Sequence, residues 1–215
     1  MPEVCIRIVI IAVIAYFCGC FNGSVIVSKY ILRDDVRNHG SGNAGLTNFY
    51  RTFGGPLTFV VILTDVLKAV VAVWVGILVA KSYAPAFWDG SLVPLGKYWA
   101  GLFCLLGHMF PCMFGFRGGK GIMSGGIIAI MISWKVAVVV WGSFLILTAI
   151  TKYVSVGSIS TGFLFPIMAW LLYRDPVCLI FATAVGGLIV FQHRGNIARL
   201  AHGEEHKFSF SKKSK

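Results

Sequence analysis

Residues 57–80 read LTFVVILTDVLKAVVAVWVGILVA, an apolar run interrupted by only two charges, Asp65 and Lys68. Coiled as a helix, twenty-four residues would reach about 36 Å, more than the roughly 30 Å hydrocarbon core of a bilayer. The stretch therefore reads as a membrane span. Its two charges stand at i and i+3, so they share a face and can pair. An ionisable side chain at that depth is costly and by default marks function. A self-neutralising pair that braces the polar segment above it is the structural alternative, and Asp65 and Lys68 are taken here as supports of a site.

Outward from this run, further apolar stretches lie at about 4–27, 98–114, 121–133, 136–151, 157–173 and 176–192. The pair at 121–151 is short, and reads either as two full spans or as a re-entrant hairpin buried by protein. Of the 215 residues 57% are hydrophobic and 13% charged, about half the charge of a soluble domain, which excludes disorder and disfavours a water-soluble globule. The first run is too long for a signal-peptide core and lacks a cleavage signal, so it is expected to stay. No Pro/Ser-rich linker or internal repeat divides the chain. The expectation is an all-α integral membrane protein, a bundle of about seven transmembrane helices forming one membrane-embedded domain over 1–215, with a basic tail at 206–215.

The net charge of +11 has a topological reading. With seven spans, thirteen cations fall on one face: Lys29, Arg33, Arg37, Arg51, Arg117, Lys120, Lys152, Arg194, Arg199, Lys207, Lys212, Lys213 and Lys215. Five fall on the other: Arg7, Lys81, Lys97, Lys135 and Arg174. The positive-inside rule puts the N-terminus outside and the C-terminus in the cytoplasm. Tyr83, Trp88, Tyr98 and Trp99 around the outer loop 81–97 read as an interfacial aromatic belt. The six cysteines fall mostly inside apolar runs without metal-ligand spacing, and read as small buried hydrophobes. No metal and no cofactor are expected.

The polar residues gather on the cationic face. Residues 40–54, GSGNAGLTNFYRTFG, lie in a loop of roughly 28 residues, a length that is usually functional. Its glycines and small polar side chains offer N–H groups, hydroxyls and amides to a ligand. Residues 107–121, GHMFPCMFGFRGGKG, lead into the next helix. Arg117 and Lys120 bring charge, Gly118, Gly119 and Gly121 allow close approach, and a helix starting after Lys120 would aim its first N–H groups at the same spot, which makes an anion site. It is not a Walker loop: Gly115 is one residue too near, and Gly121 stands where Ser or Thr would hold magnesium. The third segment is split between KYVSVGSIS (152–160) and QHRGNIARL (192–200). His193 and Asn196 are three apart and share a helical face, with Arg194 and Arg199 expected to point elsewhere, one of them toward lipid headgroups.

Together these segments resemble the bacterial acyl-phosphate:glycerol-3-phosphate acyltransferase family, PlsY. The resemblance rests on GSGNAGLTNFYR at 40–51, on GHMFP at 107–111 with GGKG at 118–121, and on Ser155–Ser158 with HRGNIARL from His193. It spans about Gly19 to Glu205. The sequence departs at Leu46, where Ala is usual, at Asn22, where proline is common, and at Ile-Met-Ser after Gly121.

The resemblance implies transfer of a fatty acyl chain from acyl phosphate to the 1-hydroxyl of glycerol 3-phosphate. The products would be lysophosphatidate and inorganic phosphate, the first step of phospholipid synthesis. By matching motif, Ser41, Gly42, Asn43, Gly45, Thr47 and Asn48 would receive the acyl-phosphate headgroup. Arg51, Lys120, Ser158, His193 and Asn196 would grip glycerol 3-phosphate beside Gly118, Gly119 and Gly121, with Lys120, Ser158, His193 and Asn196 as the catalytic set. Asp65, Lys68, His108 and Ser155 would support them. Implied partners are acyl phosphate, glycerol 3-phosphate, membrane lipids and a soluble acyl-phosphate-forming enzyme, with the active site on the cytoplasmic side of the bacterial inner membrane.

The chemistry suits the residues: a mixed anhydride needs positioning and charge stabilisation more than a strong nucleophile. No Ser-His-Asp triad is legible, and no histidine has Asp five residues on, which disfavours the other glycerolipid acyltransferase class and its CoA or carrier-protein donors. A transporter of phosphorylated solutes would need polar residues across the whole bilayer, and these are lacking beyond Asp65 and Lys68. Nucleic acid is not an expected partner, because no aromatic residue interleaves the tail lysines.

Overall fold

The computed structural model describes residues 2–83 and 92–207, and these are helical with short connections. Trp88 of the expected aromatic belt and the tail lysines Lys212, Lys213 and Lys215 lie outside the described residues. The chain forms two compact units, Met1–Ser133 and Trp134–Lys215.

In the first unit α1 (Pro2–Cys20) stops at a break over Phe21–Asn22, and α2 (Gly23–Ile26) restarts the helix and runs into one π turn, Val27–Ile31. Asn22 causes the restart: its side chain caps α2 by accepting from the Val25 N–H at 3.2 Å. A short α3 (Leu46–Thr52) closes the first glycine-rich segment, and α4 (Leu57–Tyr83) is the long run read above. Along α4 the exposed residues Phe59, Leu63, Leu67, Val71, Trp74 and Leu78 form one stripe, while Asp65, Lys68, Ala69, Ala72 and Val73 are buried. Such a helix is apolar outside and ionisable inside, the reverse of a soluble helix.

The third helix, α5, covers Leu92–Met109 and not the expected 98–114. Pro111 cannot continue a helix and restricts the residue before it, which moves the end back to Met109. The start moves forward because Gly96 and Lys97 are accommodated. Gly96 packs against the backbone of Gly76 on α4, and Lys97 reaches the carbonyl of Ile132 at 3.2 Å. Tyr98 is 1% exposed and belongs to the core instead of an interfacial belt, and Trp99 donates its indole N–H to the Ile8 carbonyl at 3.0 Å. Helix α1 crosses α5 where Gly19 and Gly107 meet, close enough that a Cβ on either would overlap the other's backbone.

Helix α6 (Ile122–Ile132) has eleven residues, about 16 Å, too short to span a bilayer alone. It packs on α4 and α5, and Ser124 donates to the Asp65 carbonyl at 3.3 Å.

The second unit holds α7 (Trp134–Thr151), α8 (Val154–Tyr173), α9 (Pro176–Gln192) and α10 (Arg194–Ala201). Ser133 alone separates α6 from α7, so Trp134 and Lys135, expected as a connection, form the first turn of α7. Asp175 caps α9 by accepting from the Cys178 N–H at 2.8 Å, with Pro176 in the first turn. Helices α8 and α9 pack through Gly162 and Gly186. Among the described residues four helical segments are long and apolar enough to cross a membrane: Glu3–Ile31, Leu57–Ser82, Trp134–Thr151 and Val154–Tyr173. Taken together, α9 and α10 also meet that length and composition, but they are bent by 52° at His193, as in a broken span or a re-entrant loop.

Candidate active site

The glycine-rich segments meet at one end of the first unit. The earlier one is anchored from below by a cluster of Val25, Val27, Val36, Ala44, Phe49 and Val61, on which Leu46, Phe53 and Phe114 also pack. Leu46 thus fills apolar space under the loop. Asn48 ties the loop to itself: its amide donates to the Val36 and His39 carbonyls, both at 3.0 Å, and its oxygen accepts from the Ser41 N–H at 3.1 Å. An amide so engaged, 4% exposed, shapes the loop, whereas Ser41, Gly42, Thr47 and Arg51 are exposed above it.

One backbone hydrogen bond joins the segments, and Asn22 braces it from the break after α1. The Ala44 N–H meets the Gly118 carbonyl at 3.4 Å, and the buried Asn22 amide donates to the Ala44 carbonyl at 3.0 Å. Arg37 spans the same gap, donating to the Phe114 and Arg117 carbonyls at 2.7 and 3.2 Å while paired with Asp35 at 2.7 Å. Hydrogen bonds from the Arg37 guanidinium hold the Asp35 carboxyl below the ordinary carboxylate range, and the carboxylate in turn raises Arg37. Arg37 had no distinguishing sequence signal, since its role depends on carbonyls some eighty positions away.

The second segment folds back on the end of α5: the Gly118 and Gly119 N–H groups donate to the Met109 and His108 carbonyls, both at 3.1 Å. Gly119 has no room for a Cβ, which would overlap His108 Nε2 and lie 2.8 Å from the Ala44 carbonyl. Gly121 has φ +79° and sits at the N-cap of α6, where an L side chain would be strained. No side chain caps that turn, so Lys120 stands immediately before uncapped helical N–H groups, the arrangement read from the sequence. Beneath the loop, Lys68 Nζ lies 2.6 Å from Asp65 Oδ1, 2.6 Å from His108 Nδ1 and 3.2 Å from the Phe21 carbonyl. The expected supports Asp65, Lys68 and His108 form one buried cluster.

The second unit carries its own polar cluster at the bend between α9 and α10. Gly162 packs against Gly186, Ile189 and Val190, so with antiparallel helices Ser158 stands level with the end of α9 and Ser155 one turn beyond. His193 and Asn196 are both buried while Arg194, Gly195 and Ile197 are exposed, as the shared face required. The His193 Nδ1 is 2.8 Å from the Ile189 carbonyl, which can only accept; Nδ1 therefore carries a proton, and in the neutral ring Nε2 is an acceptor. The Asn196 amide donates to Glu205 Oε1 at 2.7 Å, and Arg199 Nε to Glu205 Oε2 at 2.8 Å. Arg199 is thus tied to Glu205. Burial alone would raise the Glu205 carboxyl, but Asn196, the neighbouring Ser155 hydroxyl and Arg199 hold it below the usual glutamate value. Glu205 was missed in the sequence, although an acid beside Asn196 and Arg199 is the signal that could have found it.

Among the described residues no three His, Cys, Asp or Glu side chains converge as a metal site would need. What the molecule presents is a helical, membrane-embedded protein with its buried polar chemistry gathered under a glycine-rich double loop and at a helix bend. Comparison with known proteins gives that class a family. A glycerol-3-phosphate acyltransferase family model matches residues 9–203. The chain is 37% identical over 207 residues to a glycerol-3-phosphate acyltransferase of Clostridioides difficile, covering 95% of this chain and 97% of that one. With that of Thermoanaerobacter pseudethanolicus it is 35% identical over 199 residues, 93% and 94% of the two chains. Its fold matches the crystal structure of PlsY (YgiH), an integral membrane glycerol 3-phosphate acyltransferase in its glycerol 3-phosphate form, with TM-score 0.80 and 30% identity over 94% of this chain and 96% of that one. The chain belongs to the glycerol-3-phosphate acyltransferase family: it is an integral membrane enzyme that transfers acyl groups to glycerol 3-phosphate.

Proposed function

We propose that the acyl donor is acyl phosphate and that the enzyme acylates the 1-hydroxyl of glycerol 3-phosphate, yielding lysophosphatidate and inorganic phosphate. The observation that carries this reading is the Gly118–Gly121 loop, two glycines folded tightly on α5, then Lys120, then a helix start with no side-chain cap. That is a seat for a phosphate, and both proposed substrates carry one. Ser41, Gly42, Asn43, Gly45 and Thr47 receive the acyl-phosphate headgroup, in a loop whose shape Asn48 maintains. Arg51 and Lys120 supply positive charge to glycerol 3-phosphate; Ser158, His193 and Asn196 are assigned to that substrate by matching motif.

In the reaction the 1-hydroxyl oxygen attacks the acyl carbon, the bond from that carbon to the bridging oxygen breaks, and phosphate leaves. The hydroxyl proton ends on the departing phosphate, so the step balances with no outside reagent. The thirteen-cation face lies in the cytoplasm of the inner membrane, where a soluble acyl-phosphate-forming enzyme supplies the donor.

The test is donor choice. Detergent-purified protein given glycerol 3-phosphate and palmitoyl phosphate should release phosphate and lysophosphatidate in equal amounts, and should be inert with palmitoyl-CoA. Turnover with the thioester and none with the acyl phosphate would refute the assignment.

A further inference from the structure

We propose that Cys20 and Cys112 are a thiol pair that a peroxide oxidises to a disulfide, reversibly slowing acyl transfer. The two residues are 92 positions apart, yet their sulfurs lie 3.9 Å from each other. Two sequence features bring them together. Gly19 and Gly107 let α1 and α5 meet backbone to backbone, so closely that a Cβ on Gly107 would lie 2.9 Å from the Cys20 nitrogen. Pro111 then ends α5, and the chain turns so that Cys112 opens a short 3-10 turn beside Cys20, the last residue of α1. Tyr16, one turn earlier on α1, donates its hydroxyl to the Phe110 carbonyl at 2.8 Å and borders both sulfurs. The Cys112 N–H is directed at the Cys20 sulfur. The thiols differ in access: Cys20 is buried and Cys112 only partly so.

That difference divides the chemistry between them. The accessible Cys112 thiolate attacks one peroxide oxygen, the O–O bond breaks, and water leaves with a sulfenic acid on Cys112. The Cys20 sulfur then attacks that sulfur and displaces its hydroxyl as a second water. Two thiols and one hydrogen peroxide give one disulfide and two waters, with two electrons passing from sulfur to peroxide. In the cytoplasm proposed for this face the pair rests as thiols, and a disulfide there is transient and reports oxidant. Forming the bond requires movement, because a disulfide is about 2.05 Å long and the sulfurs must approach by about 1.9 Å. The main chains of α1 and α5 cannot supply it, since they already touch at Gly19 and Gly107. It falls to the two side chains and to the turn that carries Cys112. That turn is a unit, with the Phe114 and Phe116 N–H groups both on the Pro111 carbonyl at 3.0 Å, and it leads straight into Gly118–Gly121. A positioning element shifted by about 1 Å can lose ~100-fold in rate.

The bond is mapped without substrate, so failure of the pairing is distinct from failure of the donor assignment. Detergent-purified wild-type enzyme is treated with hydrogen peroxide, remaining thiols are blocked with iodoacetamide, and the protein is digested without reduction. Mass spectrometry should find peptides joined through Cys20 and Cys112, two hydrogens lighter than the reduced pair. The joined species should be absent after dithiothreitol, absent in Cys20→Ala and in Cys112→Ser, and retained in Cys18→Ala. No joined peptides in the wild type, or a link that survives Cys112→Ser, overturns the pairing. Rates of acyl transfer to glycerol 3-phosphate on the same preparations give the second reading. Oxidation should lower the wild-type rate at least about tenfold, and dithiothreitol should restore it. Cys20→Ala and Cys112→Ser should start near the wild-type rate and keep it under peroxide. A wild-type rate unchanged by complete bond formation, or an equal loss in Cys112→Ser, overturns the effect on turnover. So does a loss that dithiothreitol does not reverse, which marks oxidation beyond the disulfide.

Discussion

Replacing Gly119 with alanine tests the packing of the double loop with a single added methyl group. Its Cβ would lie 2.8 Å from the Ala44 carbonyl, about 0.6 Å inside the 3.4 Å at which ordinary contact begins, and would overlap His108 Nε2 outright. Neither neighbour can yield. The Ala44 carbonyl is held by Asn22 at 3.0 Å, and the imidazole by Lys68 at 2.6 Å. Gly119 does not have a left-handed φ, so the cost is steric and the loop must lift, by on the order of an ångström. A displacement of that size in a positioning element can cost ~100-fold in rate, and the overpacking ~1–3 kcal/mol of stability. Gly142→Ala is the control: nothing lies within 4 Å of its Cβ, and alanine favours the helix by about 1 kcal/mol. Initial rates against glycerol 3-phosphate, with thermal melts on the same preparations, separate misplacement from unfolding. A Gly119→Ala enzyme with the kinetics of Gly142→Ala would refute the argument that these segments are wedged together.

Other perturbations follow from the same contacts. Lys68→Met strands the Asp65 carboxylate in the interior and should cost ~3–5 kcal/mol in a thermal or denaturant melt, much of it restored by adding Asp65→Asn. Asn48→Ala removes three bonds to loop backbone and should lower stability by ~1–3 kcal/mol, the cost of buried groups left unpaired, with a larger effect on activity than on helix content by circular dichroism. Glu205 has a folded-state pKa below its unfolded one, so its stabilisation is full above the ordinary glutamate value and is lost as pH falls through the depressed value. Melting temperatures of wild type and Glu205→Gln should therefore differ near neutrality and converge in acid. Asp35→Asn should loosen Arg37 from the second loop and raise KM for glycerol 3-phosphate several-fold, measured at saturating acyl donor.

Local signals in the sequence carried most of the fold and part of the site. The run at 57–80 reads as a membrane helix because it is too long and too apolar for a helix exposed to water, and its Asp65 and Lys68, at i and i+3, do pair, with His108 and the Phe21 carbonyl as further partners of the lysine. The turn at Gly118–Gly121 was legible for a similar reason, since glycines flanking a lysine before a helix have few other uses. Contacts between distant segments were not legible. Tyr98 read as an interfacial aromatic but is core, because burial depends on which helix faces it. The early end of α5 was written in Pro111, yet the apolar residues that follow masked it. Arg37 and Glu205 looked like ordinary charges of a cytoplasmic face. Their roles come from carbonyls of Phe114 and Arg117 in one case, and from Asn196 and Arg199 in the other.

The claim on which the account turns is that Lys120 and the glycines around it hold the phosphate of glycerol 3-phosphate. Equilibrium binding of glycerol 3-phosphate to the purified enzyme, with no acyl donor present, measures this without any chemistry intervening. Wild-type protein should bind saturably, and Lys120→Ala should bind at least about tenfold more weakly, as expected for loss of one charged hydrogen bond. Unaltered affinity in a folded Lys120→Ala protein would contradict the account.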